Sequence, residues 1–362
     1  MQILFACFLL ALVLPPNASA QHPPALPDYR PDQLVSGVLR SRGNDQMAAL
    51  MKRWEKGFRK YQPDIQFDDA LTGSASGMYG LEMRTADIAV MGRPINPYER
   101  YGSYERSWVY PVEIEVATGS FEAPHKSPAY AILVHKDNPL VQLTIQQLDG
   151  IFGAERGGGW NALTWDVKAA RTSAGNIRTW GQLGLEGGWA AKPIHVYGPP
   201  LLGAGSITLF QSKVFHGGDT WNEDLREYAD REQMIADLGK DPYGIAYTAL
   251  RYRSDDVKPV SIAETSAGPF VKLTRSSVTD RSYPLSRPVI IVYTIDNKKS
   301  EIADPRVDPK VREFLRYILS KQGQQDVVRD GAYLPLPPAI VKEQLKKLAS
   351  RSAPPELQLL NE

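Results

Sequence analysis

The chain has 362 residues, 42 of them basic and 41 acidic, for a formal net charge of +1. Apolar residues make up 43% and charged residues 23%, a globular balance that excludes a disordered or fibrous chain. The near-neutral charge excludes a bulk basic surface for nucleic acid, so any anion this protein holds must be caught locally.

The first twenty residues read MQILFACFLLALVLPPNASA. An apolar run from Ile3 to Leu14 leads into a Pro-Pro break and a small-residue site, Ala18-Ser19-Ala20. This is the pattern of a cleaved secretory signal peptide, and the run is shorter than the ~20 residues of a membrane span. It predicts an exported protein, periplasmic or otherwise extracytoplasmic. Cys7, the only cysteine, lies inside it, so the mature chain has no thiol and rests on its core.

Residues 21–33 are Pro-rich and read as an extended leader. A strand is expected over Leu34–Leu39. Met47, Leu50, Met51, Trp54, Phe58 and Tyr61 then recur at helical spacing, with Asn44 or Asp45 as cap and Pro63 just past the end. A strand near Ile65–Phe67, a helix from about Ser76 to Met83 and a short buried strand at Asp87–Met91 follow. A second series starts near Tyr130 with a strand, then a helix capped by Thr144. Residues 154–190 are rich in Gly and Trp, with Trp160, Trp165, Trp180 and Trp189, which read as packing residues. A strand at Lys192–Tyr197, a Gly-rich turn entering a helix, a helix over Glu232–Leu238 and a strand in GIAYTALRY complete that series. RPVIIVYTI reads as a buried strand. In DPKVREFLRYILSKQG, Asp308 caps a helix, Pro309 is its first residue and Gly323 ends it. Strands alternating with helices predict an α/β fold with a largely parallel sheet.

Three places share one pattern: a strand ends, small residues turn, and a helix begins. They are Gly43-Asn44-Asp45-Gln46, Gly73-Ser74-Ala75-Ser76-Gly77 and Gly203-Ala204-Gly205-Ser206. A helix start exposes unpaired N–H groups and a partial positive charge. Small residues let an anion approach that backbone, and hydroxyls add donors. Any one such turn is equally a plain helix cap; three together suit a tetrahedral oxyanion. Arg93 ends the strand after the second turn and suits either a bidentate oxyanion contact or a salt bridge. Asp45 suits either a proton acceptor for hydrogen phosphate or an N-cap.

The order and spacing of these segments resemble the phosphate-binding proteins of phosphate ABC transporters, a family of the periplasmic-binding-protein superfamily. GNDQM, TGSASGMYGL and GAGSITLF resemble its three turns. ADIAVMGRP, HKDNPLVQLTIQQLDGIFG, YPLSRPVIIVYT and FLRYILSKQGQQDVVRDGAYLPLP resemble its longer segments, and the likeness runs from about Ser41 to Pro337. The resemblance implies two α/β lobes joined by two crossings, with the ligand in the cleft between them. The first lobe would span 34–115 and 258–348, the second 116–257 with an insertion near 154–190, and 349–362 a tail. It implies a monomeric binding protein that captures phosphate or a related oxyanion for a membrane permease, with no cofactor or metal. Gly43, Asn44, Asp45, Ser74, Ala75, Ser76, Arg93, Ala204, Gly205 and Ser206 would form the site.

The chain departs from the family pattern at the site. The family usually places an arginine and an acid before the third turn, where this chain has Tyr197-Gly-Pro-Pro-Leu-Leu202. Gly-Ser-Gly-Thr has become Gly-Ala-Gly-Ser, and Met91-Gly92 stands where Ser or Asp is common. A divergent homologue that binds another solute is therefore a rival reading. A hydrolase is a weaker one: there is no His-x-x-x-His, no Gly-x-Ser-x-Gly and no phosphate loop.

Overall fold

In each of two five-stranded sheets three strands pair in parallel and a fourth runs against them, pairing antiparallel on both its sides. The computed structural model describes residues 26–350 apart from 108, 162–163, 202–204 and 297–306. The signal peptide, most of the tail and Ala204 lie outside the described residues.

The first lobe opens with β1 (Gly37–Gly43), α1 (Ala48–Phe58), β2 (Ile65–Leu71), α2 (Ser74–Glu82), β3 (Ile88–Met91), α3 (Pro97–Ser107) and β4 (Val109–Thr118). The second lobe holds β5 (Tyr130–His135), β6 (Gln142–Thr144), α4 (Ile145–Phe152), β7 (Gly159–Asn161), β8 (Thr164–Asp166), β9 (His195–Gly198), α5 (Gly205–Val214), β10 (Arg226–Glu227), α6 (Arg231–Leu238), β11 (Gly244–Ala249), β12 (Val257–Pro259), β13 (Ser261–Ala263) and α7 (Arg275–Thr279). The chain returns through β14 (Pro288–Asp296) and closes with α8 (Pro309–Ile318), α9 (Lys321–Asp330) and α10 (Pro338–Ala349). The sheet orders are β2-β1-β3-β14-β4 and β10-β9-β11-β5-β12. Both sheets are thus mixed, not largely parallel. The long β14 runs back between β3 and β4 because the chain re-enters the first lobe from the second.

Strand pairing sets the lobe boundary. β12 pairs with β5, β13 pairs with β6, and Val260, Ile262, Val278 and Tyr283 pack into the second lobe's core. The return to the first lobe therefore falls near Ser286, not at 258. Short strands with no long helix between them left no mark of this in the sequence. The expected leader is likewise not free in its described part. Tyr29 is buried against Phe58 and Tyr317, its hydroxyl donates to Glu313 at 2.9 Å, and Lys321 N–H donates to Pro27 O at 2.8 Å.

Asp308 and Thr144 cap their helices as expected, but the end expected for the first of these is not where the chain puts it. Asp308 accepts from Lys310 N–H at 2.8 Å and Thr144 makes a reciprocal capping box with Gln147. Gly323 does not end the Asp308-capped helix. The helix stops at Ile318, and extended Ser320 caps α9, accepting from Gly323 N–H at 3.3 Å. The Trp-rich insertion is pinned by one buried ion pair, in which both Arg156 Nη atoms lie 2.7 Å from the Asp149 carboxylate of α4. Trp180 is fully buried and Trp189 packs against the core, whereas Trp160 and Trp165 face each other across the β7–β8 hairpin.

Two outcomes follow from buried charge. Arg156→Ala leaves Asp149 buried with only Arg171 near it, at 3.4 Å; the expected cost is about 3 kcal/mol in urea unfolding, and a loss under ~0.5 kcal/mol would show that the insertion is held otherwise. Burial and then the neighbouring Asp69 push the Glu55 carboxyl up to about 8. The folded state then binds more protons than the unfolded chain, so stability falls as pH rises from the ordinary carboxyl range towards 8. Glu55→Gln should flatten that fall and raise the melting temperature at pH 8 by about 2 °C; parallel thermal melts of both proteins across pH 5–8 check it.

Candidate functional site

In an α/β sheet, the loops leaving the carboxyl ends of parallel strands gather at one edge, where ligands bind. In the first lobe that edge collects the ends of β1, β2 and β3. Gly43 ends β1 at φ +136, where a Cβ would lie 2.0 Å from Val90 O, so backbone conformation and space both demand glycine. Its carbonyl accepts from Gly73 N–H at 2.8 Å, which ties the first turn to the second. Asn44 is buried, donates its N–H to Val90 O at 2.8 Å and accepts from Gln46 N–H at 3.0 Å, capping the short 3-10 turn Asp45–Met47 that leads into α1, rather than α1 itself. Asp45 is exposed. It is neither the cap nor a buried proton acceptor.

The second turn enters α2 two residues earlier than expected, at Ser74. The amides of Ser74 and Ala75 fall in the first helical turn, which has no intrahelical partners for them. Ser76 Oγ donates to Gly73 O at 2.8 Å, so this hydroxyl is spent on the turn. Ser74 Oγ accepts from Gly92 N–H at 3.3 Å, which leaves its own proton to donate. Gly92 sits where the parts of this edge meet. A Cβ there would lie 2.1 Å from Asn44 Nδ2 and 2.5 Å from Ser127 Oγ, and the Gly92 carbonyl accepts from Arg287 Nε. The residue that removes a familiar hydroxyl from this strand end is thus the one that lets two loops and the interlobe crossing close on each other.

Arg93 is buried, and its guanidinium forms a two-pronged pair with Glu99 at 2.6 and 2.7 Å while also donating to Pro94 O at 3.0 Å. Of the two readings of Arg93, the geometry shows the salt bridge. Glu99 spends most of the guanidinium's fork.

In the second lobe the corresponding edge collects Pro199 after β9, Arg231 after β10 and Arg251 after β11. Gly205 opens α5, and the side chain of Ser206 lies outside the described residues. Among the described residues, a larger and a smaller pocket lie between the lobes. The larger, about 750 Å³, runs from Ala75, Arg93 and Tyr98 across to Trp160, Thr208 and Gln211. Its cations are neutralised, Arg93 by Glu99 and Arg100 by Glu113 at 2.6 Å.

The smaller pocket, about 190 Å³, lies beside the first turn and is lined by Gln46, Lys126, Arg231, Tyr247, Arg251 and Arg287 among others. No carboxylate among the described residues lines it. Lys126 Nζ donates to Gln46 O at 2.6 Å, and the Arg251 guanidinium lies 4.0 Å from the Tyr252 ring centre. Arg231 donates to Tyr228 O and, at 3.2 Å, to Ala229 O. Burial holds the Tyr247 hydroxyl well above its ordinary pKa, and it has no hydrogen-bond partner among the described residues. None of Lys126, Arg231, Tyr247, Arg251 and Arg287 was legible as a site residue. The usable signal was positional: Arg231 and Arg251 each follow a parallel strand's carboxyl end.

A family model described as a PBP superfamily domain matches residues 19–322. The phosphate-binding protein PstS of Pseudomonas aeruginosa is 32% identical over 341 residues, 94% of this chain and 96% of that protein. The protein of the same name from Staphylococcus saprophyticus is 23% identical over 316 residues, 86% of this chain and 84% of its own. Among solved structures, PstS from Borrelia burgdorferi superposes with a TM-score of 0.52 at 16% identity, over 83% of this chain and 99% of that one. An ABC-type phosphate transport receptor from Vibrio cholerae gives 0.50 at 17% identity, over 82% and 99%. At such identities the structural likeness speaks for the two-lobed fold alone.

Gly92→Ala forces a methyl group into the Asn44–Ser127 contact and is expected to cost about 1–3 kcal/mol through overpacking. A melting temperature unchanged from wild type would show that these loops yield freely.

Proposed function

The chain belongs to the PBP superfamily and, within it, to the family of the phosphate-binding proteins, and from that premise we propose that it is an exported solute-binding protein that captures phosphate or a related oxyanion for an ABC-type importer. One observation carries the reading for this chain: the carboxyl ends of the parallel strands of both lobes open on one interlobe gap, the place where this architecture puts ligands. Capture is non-covalent, with no catalytic step. The amides of Ser74 and Ala75, the Ser74 hydroxyl and the start of α5 at Gly205 and Ser206 supply donors. Gly43, Asn44 and Ser76 shape the turns. Arg93 acts through its pair with Glu99 and holds the segment after β3 in place.

Lobe closure around the anion gives the form that a membrane permease recognises, and the protein acts as a monomer outside the cytoplasm. Among the described residues no helix is long and apolar enough to cross a membrane. A hydrolase would need its catalytic groups at the cleft. His195 does pair with Asp241 at 2.7 Å, but His195 opens β9, at the far end of that strand from Gly198 and the gap.

The larger pocket favours a second reading. Its volume of about 750 Å³ and its Trp160 and Tyr98 walls suit a solute that carries an organic group.

Isothermal titration of residues 21–362, unfolded and refolded beforehand to strip any bound anion, tests the main reading. Micromolar or tighter binding of phosphate is expected, with Ser74→Ala weakening it about tenfold through one lost donor. No heat and no thermal shift with any inorganic oxyanion would sink it.

A further inference from the structure

We propose that the basic pocket beside the first turn meets the charge of the anion held at the strand-end turns, and that the site takes tetrahedral oxyanions as a class, sulfate as well as hydrogen phosphate. This rests on the oxyanion reading above and goes beyond it by naming the residues that meet the charge and the selectivity that results.

The family's usual arginine and acid before the third turn are missing here, and Pro199 and Pro200 occupy that stretch. An anion in the cleft therefore needs its counter-charge from elsewhere. The pocket supplies it from three directions. Arg231 and Arg251 come from the strand-end loops of the second lobe, Lys126 from the outward crossing and Arg287 from the return. None of the four pairs with a carboxylate among the described residues, whereas Arg93 and Arg100 in the neighbouring pocket both do. Unneutralised cations around a small concavity repel one another, and an anion relieves that repulsion.

A second, independent observation points the same way. Tyr247 lines this pocket with its ring wedged against Phe210 and Trp221, and its hydroxyl is buried with no partner among the described residues. An orphaned buried donor is costly unless a ligand completes it. The pocket's volume of about 190 Å³ suits an inorganic anion with a few waters, not an organic solute.

Selectivity follows from the donor set. Hydrogen phosphate carries a proton that a specific site can recognise with a buried carboxylate acceptor, and that same carboxylate repels sulfate. Here no carboxylate lines the pocket, and Asp45, the one acid in a neighbouring turn, is exposed. Every charged group presented is a donor, so nothing in the wall penalises an anion that has no proton.

The test titrates phosphate and sulfate separately into stripped wild-type protein, Arg231→Gln/Arg251→Gln and Tyr247→Phe, with thermal unfolding of each unliganded protein alongside. Wild type should bind both anions with affinities within about tenfold of each other. The arginine double variant should lose about 100-fold for both, as two charge-assisted contacts go. Tyr247→Phe should weaken both anions about tenfold while the unliganded protein melts no lower than wild type, an outcome that a merely structural tyrosine would not give. Phosphate binding that excludes sulfate by more than about 100-fold would overturn the selectivity and keep the phosphate function. Unchanged phosphate binding in both variants would overturn the pocket's part in meeting the charge and leave the cleft reading standing. Failure of wild type to bind either anion would overturn the function and this inference together.

Discussion

Gly119 N–H donates to the carbonyl of Arg287 at 2.7 Å, and this bond joins the two places where the chain passes between lobes. The outward crossing leaves β4 and the return enters β14, and those two strands pair along their whole lengths with one register shift at Val289/Ile290. The lobes thus hang from one ribbon. Because the sheet of each lobe holds three parallel strands whose carboxyl ends lie at one edge, the ribbon sets the two edges against a common gap. Arg287 then serves twice, its backbone binding the outward crossing and its side chain reaching the carbonyl of Gly92.

The parts of this design that depend on near neighbours were legible in the sequence. Asp308-Pro309, Thr144 with Gln147, and the stripe through Leu50, Trp54 and Phe58 all express local geometry, and the helices formed there. The strand-turn-helix pattern likewise located the first two turns, because glycine and hydroxyl preferences are set within a few residues. What failed to show was everything set by partners far along the chain. Asp45 and Asn44 competed for one cap, and the deciding bond is Asn44 N–H to Val90 O, across 46 positions. Arg93 had its partner only six residues away, yet the pairing depends on α3 folding back beneath the β3 end. β12 and β13 were too short to carry a pattern, so their sheet became known only from the strand they join.

A net charge near zero conceals a strong local separation. Several buried cations among the described residues are spent on carboxylates, as in the Arg156–Asp149 and Arg93–Glu99 pairs. Those spared in the cleft are gathered at its base, around a pocket that no acid lines. Counter-charge is thus arranged by topology, since Arg231 and Arg251 are distant from Lys126 in the chain and meet only at the gap. The loss of an arginine before the third turn therefore does not mean a loss of positive potential in the cleft.

The two lobes keep separate interiors, one around Trp54, Phe58 and Phe314 and the other around Phe152, Trp180 and Tyr247. Cooperativity in unfolding follows shared packing. Each lobe is therefore its own melting unit, linked to the other by a ribbon and a few polar contacts. A small anion bridging the gap touches both units while adding no apolar burial. Its occupancy would act as a removable crosslink: the empty protein would melt in two steps, and the filled one would melt as a single body.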